Sequence, residues 1–157
     1  MISYQRYCDQ LHQLYDSKTL QNQIVVQVVR LLDDSILLQT AVPSTAKDLS
    51  HLELKITYSQ VYQEPLLLLR VWRKDQSQED ESDFVSLWFP QDVSALLGID
   101  KSFQLELDAV VSPTSHLQET WYSIHPCDTA EIVGDQAKYA DGYLNRWLSV
   151  FLFSWLI

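Results

Sequence analysis

Cys127 is the residue best equipped for chemistry, set in the run Trp121-Tyr122-Ser123-Ile124-His125-Pro126-Cys127-Asp128-Thr129-Ala130. A proline fixes its own φ near −65° and pushes the preceding residue toward extended geometry. His125 should therefore finish a strand, and Cys127 should leave the sheet on a stiffened turn that presents its thiol at a sheet edge. A free thiol titrates near ~8.5, so some thiolate exists at neutral pH without a strong base. Asp128 opposes that ionisation wherever its carboxylate lies close. The combination suits a thiol that accepts an activated acyl group, and an inert buried cysteine is the competing reading. The second cysteine, Cys8, falls in an amphipathic opening segment with no chemical neighbours and should be dispensable.

Other chemistries fit less well. A cysteine hydrolase needs a histidine base touching the thiol. His12, His51, His116 and His125 are present, but His125 sits two residues from Cys127 on an extended segment and reads as structural. A zinc site from Cys127, His125 and His116 lacks paired-cysteine spacing, so neither a metal nor another cofactor is expected. Only 3 glycines occur, well separated, which excludes a glycine-rich phosphate loop. With 21 acidic against 11 basic residues and a formal charge of −10, electrostatic binding of nucleic acid is excluded as well. Two cysteines make no disulfide framework and point to a reducing compartment. The opening residues lack the apolar core of a secretory signal. The apolar run at 147–157 is about half the ~20 residues a bilayer requires and reads as a packed helix.

The elements that must position Cys127 follow from hydrophobic periodicity. Tyr4, Tyr7, Leu11, Leu14 and Tyr15 predict a helix over 3–16. Segments 23–32 and 35–39 predict a hairpin turning at Asp33-Asp34, and 43–49 a polar connection. Strands are expected over 52–58, where Leu52, Leu54, Ile56 and Tyr58 alternate with polar residues, and over 66–72 after Pro65. Residues 74–83 read as an acidic, solvated hairpin loop leading into an apolar run at 84–89. A short helix over 91–97 closes at Gly98. Phe103, Leu105, Leu107 and Ala109 alternate as a further strand with one wet face, and 121–124 is a brief strand into the cysteine turn. From Asp141, a candidate N-cap, Tyr143, Leu144, Trp147, Leu148, Phe151 and Trp155 repeat at helical spacing. The sum is one α+β domain over 1–157. Either the edge of strand 52–58 or that of hairpin 23–39 is expected to accept a partner strand.

Two blocks resemble the E2-like conjugating enzymes of autophagy. One is His125-Pro126-Cys127-Asp128-Thr129-Ala130; the other is Ile56-Thr57-Tyr58-Ser59-Gln60-Val61-Tyr62-Gln63-Glu64-Pro65 before the leucines at 66–69. The resemblance implies an E2-like (UBC-like) fold, an antiparallel sheet flanked by helices, with extra strands. Length and Asp128-Thr129 favour the compact branch, since the chain, with its short 74–83 loop, has no space for the membrane-sensing start and large acidic insertion of the lipid-conjugating branch. For that branch it implies that Cys127 takes the ubiquitin-like autophagy-related protein 12 as a thioester from the E1-like autophagy-related protein 7. A lysine of autophagy-related protein 5 then receives it, in the cytoplasm or at the autophagosome assembly site, and an Atg8-class protein is a further candidate partner. A noncatalytic E2-like adaptor is the alternative. Tyr58, His125 and Thr129 are the supporting candidates, Tyr58 either orienting the reacting groups or simply packing the sheet. No asparagine stands where ubiquitin E2 enzymes carry theirs. The oxyanion donor is therefore sought among the amides after Cys127, Thr129, Ser115 and Thr114.

Overall fold

Ser3 starts the first helix, its hydroxyl accepting the Arg6 N–H at 3.3 Å, and α1 (Tyr4–Asp16) buries Tyr7, Leu11 and Leu14. The computed structural model describes residues 2–42, 46, 48–75, 84–112, 115–124 and 142–156, without the side chains of 28 and 75. Chain order continues with α2 (Thr19–Gln23), β1 (Val26–Leu32), β2 (Ser35–Thr40), β3 (Leu49–Ser59), β4 (Glu64–Asp75), β5 (Phe84–Trp88) and α3 (Val93–Leu97). It closes with β6 (Leu105–Val111), β7 (Gln118–Ile124), α4 (Tyr143–Phe151) and α5 (Phe153–Leu156).

All seven strands pair antiparallel in one sheet, ordered β1-β2-β3-β4-β7-β6, with β5 also on β4. The edge of β4 away from β3 is thus divided. Val71 to Asp75 pair with β5, while Leu68 and Leu69 pair with Ser123 and Tyr122 of β7. Continuing the β4–β5 register would place Pro90 opposite Leu69, and proline has no N–H to give a ladder. β5 ends before that point.

The core follows from the register. Ile36, Ile56 and Leu67 form one cross-strand row, and Leu38, Leu54, Leu69 and Tyr122 form the next. All are buried, under Tyr7, Leu11 and Leu14 of α1 and Leu144, Trp147, Leu148 and Phe151 of α4. α1 contacts both α4 and β2, and α4 contacts β4, so the helices lie together on this face.

Several sequence expectations change. Residues 19–23 form a helix entered through Lys18 at φ 56°, and Ile24 caps it, so β1 begins at Val26 instead of residue 23. The polar connection ends before Leu49, which already belongs to β3. Strand 52–58 offers no free edge, because β3 is bonded to β2 on one side and β4 on the other. Leu107 is 55% exposed and most of β6 faces solvent on both sides, since β6 ends the sheet and no helix among the described residues covers it. The residue before α4 is Gly142, with no side-chain cap; Asp141 lies outside the described residues. Gly98 does close α3, at φ 72°.

Candidate active site

β7 carries the chain toward Cys127, and it runs antiparallel to β4. Its last residue, Ile124, therefore points to the end of the sheet where β4 begins with Glu64 and Pro65 and β3 ends with Tyr58 and Ser59. His125, Cys127 and Thr129 lie outside the described residues, as does Thr114. Ser115 sits in the β6–β7 hairpin, beyond Gln118 at the opposite end of β7. At ~3.3 Å per residue that end is about 20 Å from Ile124, whereas three residues reach at most about 11 Å. Ser115 is thereby removed as an oxyanion donor.

Side chains on the face away from the helices secure β7. The Arg70 guanidinium lies 4.5 Å over the Trp121 ring and reaches Glu53 at 3.1 Å and Glu119 at 3.6 Å. The Trp121 indole N–H donates to Glu119 at 3.1 Å, and the Ser123 hydroxyl donates to Asp108 of β6. Tyr122 donates its hydroxyl to the Pro90 carbonyl from the core side.

Tyr58 is half-buried. Its hydroxyl donates to the Ile2 carbonyl at 2.7 Å, and its ring stands 5.1 Å from Tyr7 and 5.4 Å from Tyr4. Ile2 in turn donates its N–H to the Gln63 carbonyl at 2.8 Å. The amino-terminal segment and the β3–β4 turn therefore brace each other, Gln63 adopting φ 52° to close that turn. Burial, with the nearby Glu64 and Cys8, raises the Tyr58 pKa and keeps its proton available to Ile2. Val61 and Tyr62 of the same turn remain exposed.

Glu64 is 3% exposed, the only charged residue among the buried polar ones described. The Tyr143 hydroxyl donates to its carboxylate. Burial above all, then this hydrogen bond, pushes the Tyr143 pKa far up, while Arg146 pulls it down. The next residue of α4, Leu144, donates its backbone N–H to the Gln10 side chain at 2.8 Å, so α1 supplies the cap that Gly142 cannot. Sequence reasoning missed Glu64, Tyr143, Gln10 and Ile2. Glu64 precedes a proline in a polar turn, and Tyr143 lies in an apolar helical stripe, so neither announces a polar pairing.

This arrangement is an antiparallel sheet with two helices on one face and a cysteine three residues past the end of β7. The Autophagocytosis associated protein, active-site domain family matches residues 2–155. The ubiquitin-like-conjugating enzyme ATG10 of Saccharomyces cerevisiae strain YJM789 is 44% identical, over 99% of this chain and 97% of that relative. That of Candida glabrata is 37% identical, over 96% of each. Among solved structures, the crystal structure of autophagic E2, Atg10, superposes with a TM-score of 0.79 at 43% identity, covering 99% of this chain and 97% of that one. The solution structures of KmAtg10 give 0.68 at 25% identity, covering 100% and 99%. Fold and family together define an E2-like conjugating enzyme of autophagy. Within that class, the chain belongs to the ATG10 family of ubiquitin-like-conjugating enzymes.

Proposed function

We propose that Cys127 carries autophagy-related protein 12 as a glycyl thioester, received from the E1-like autophagy-related protein 7 and passed to a lysine of autophagy-related protein 5. Membership of the ATG10 family, with its active-site domain spanning His125-Pro126-Cys127, carries this reading. In loading, the Cys127 thiolate attacks the carbonyl of the activating enzyme's thioester, a new C–S bond forms, and the activating cysteine leaves as thiolate. In transfer, the neutral amine of the acceptor lysine attacks the Cys127 thioester. The C–N bond forms, the C–S bond breaks, Cys127 leaves as thiolate, and the amine's surplus proton goes to solvent. Catalysis rests on holding two proteins in register and stabilising the tetrahedral oxyanion. Thr129 and the amides after Cys127 are the proposed donors, with His125 shaping the turn.

Tyr58 supports this site through position, since its proton is committed to Ile2. The single conjugating domain extends over 1–157. The outer edge of β1, an end of the sheet, is the proposed seat for an acceptor strand. The Atg8-class protein remains a candidate second partner. Action in the cytoplasm and recruitment to the autophagosome assembly site belong to the same proposal; no helix among the described residues is long and apolar enough to cross a membrane.

With activating enzyme, ATP and modifier, wild type is expected to form an adduct that thiol reductant cleaves. Cys127→Ala should abolish it and Cys8→Ala should leave it intact. A reducible adduct on Cys127→Ala would overturn the assignment.

A further inference from the structure

We propose that Glu64 and Tyr143 are a positioning pair for the transfer step, a reading that rests on Cys127 being the thioester-forming residue. A carboxyl group buried to 3% exposure is costly to leave without hydrogen bonds, and here one partner comes from 79 positions away in the chain. Glu64 is the first residue of β4, and Tyr143 is the first residue of α4. The last described residue before Cys127, Ile124, lies on β7 beside the strand β4 that pairs with Ser123 and Tyr122, and the helix that follows in the described chain is tied to that same strand through Tyr143 and Glu64.

Both described ends of the Cys127-bearing stretch are therefore anchored to β4. Gln10 fixes the second amide of α4 and Tyr143 its first side chain, so the start of this helix is held from α1 and from the sheet at once. Glu64 also faces Ser59 in the ladder and follows Gln63, whose carbonyl receives the Ile2 N–H. The tie thus joins the start of α4 to the braced β3–β4 turn. Loading requires only that the thiol reach an activated thioester. Aminolysis requires a neutral amine from a second protein to meet the thioester carbonyl at a defined angle, where a displacement of an ångström lowers the rate by orders of magnitude. Loss of the tie should therefore act on transfer more than on loading.

The test is single-turnover discharge of preloaded wild type, Tyr143→Phe, Glu64→Ala and Glu64→Gln onto the acceptor protein across a range of acceptor concentrations. Tyr143→Phe and Glu64→Ala are expected to lower the maximal transfer rate about tenfold while loading and half-saturation stay within about threefold. Glu64→Gln keeps an oxygen that accepts the Tyr143 hydroxyl and should return to within about threefold of wild type. A merely structural pair would lower the melting temperature without slowing transfer by the folded fraction. Where a single variant fails to fold, the double variant Glu64→Leu/Tyr143→Phe removes the buried carboxyl group together with the hydroxyl. It should fold and still transfer slowly. Wild-type transfer by the double variant, or a Glu64→Gln defect as deep as that of Glu64→Ala, would overturn the proposal. Absence of a Cys127 adduct on wild type would instead strike the underlying assignment, before any variant is measured.

Discussion

Leu52, Leu54 and Ile56 of β3 are fully buried, whereas Leu107 of β6 is 55% exposed and its neighbours are largely solvated. In sequence the two strands look alike, each alternating apolar with polar residues. β3 lies between β2 and β4 beneath the helices, and β6 is the last strand of the sheet. Alternation reports the pleat, which is a property of the strand itself. Coverage is decided by where the topology puts the strand, and a period of two carries no information about that.

The contrast can be broken most severely at Leu54. Leu54→Ala should lower stability by about 2–5 kcal/mol in chemical denaturation, because its neighbours Leu38 and Leu69 on the flanking strands are held in the sheet and cannot close the cavity. At the end of the same strand, Tyr58→Phe removes only a hydroxyl and should cost about 1 kcal/mol, with Ile2 losing its donor. Its transfer rate is expected to fall no more than about threefold, and a larger loss with normal loading would return the hydroxyl to the chemistry. Leu107→Ala should stay within about 0.5 kcal/mol of wild type. A cost like that of Leu54 would mean β6 is covered in solution.

The smallest effect is one of pH. His51, on the outer face of β3, stacks on Trp72 at 5.6 Å, and burial lowers its pKa below the usual 6.5, against the pull of Glu53. Above 6.5 the imidazole is neutral folded or unfolded, and nothing is lost. As pH falls through 6.5 the unfolded chain takes up the proton first, so stability declines until the lower folded pKa is passed. The melting temperature of wild type should drop slightly more between pH 7 and pH 5 than that of His51→Gln.

Most of the strands, α1 and the Gly98 cap were legible because each is written locally, in spacing or in one residue's conformational freedom. α2 was not, since Thr19 to Gln23 adjoin a valine-rich run and carry only Leu20 as a buried anchor. The interior place of β3 was hidden because neighbour relations in a sheet depend on strands far away in sequence. At the candidate site, the motif around Cys127 and the block containing Tyr58 stand out as residue patterns. Glu64 with Tyr143, and Ile2 with Gln63, do not, because each half looks ordinary until the other is beside it.

The divided edge of β4 has a further consequence, for the order of assembly. β1 through β5 follow one another as a meander whose pairings are local and quick to form, while β7 reaches β4 only after α3 and β6 have been made. During that interval Leu68 and Leu69 are open to the early arrival, and a β5 that zipped three residues further would occupy them both. Pro90 halts it before it reaches either leucine, with no N–H to offer opposite Leu69. The late strand finds its berth empty, and Tyr122 then takes the carbonyl of the same proline that kept it vacant.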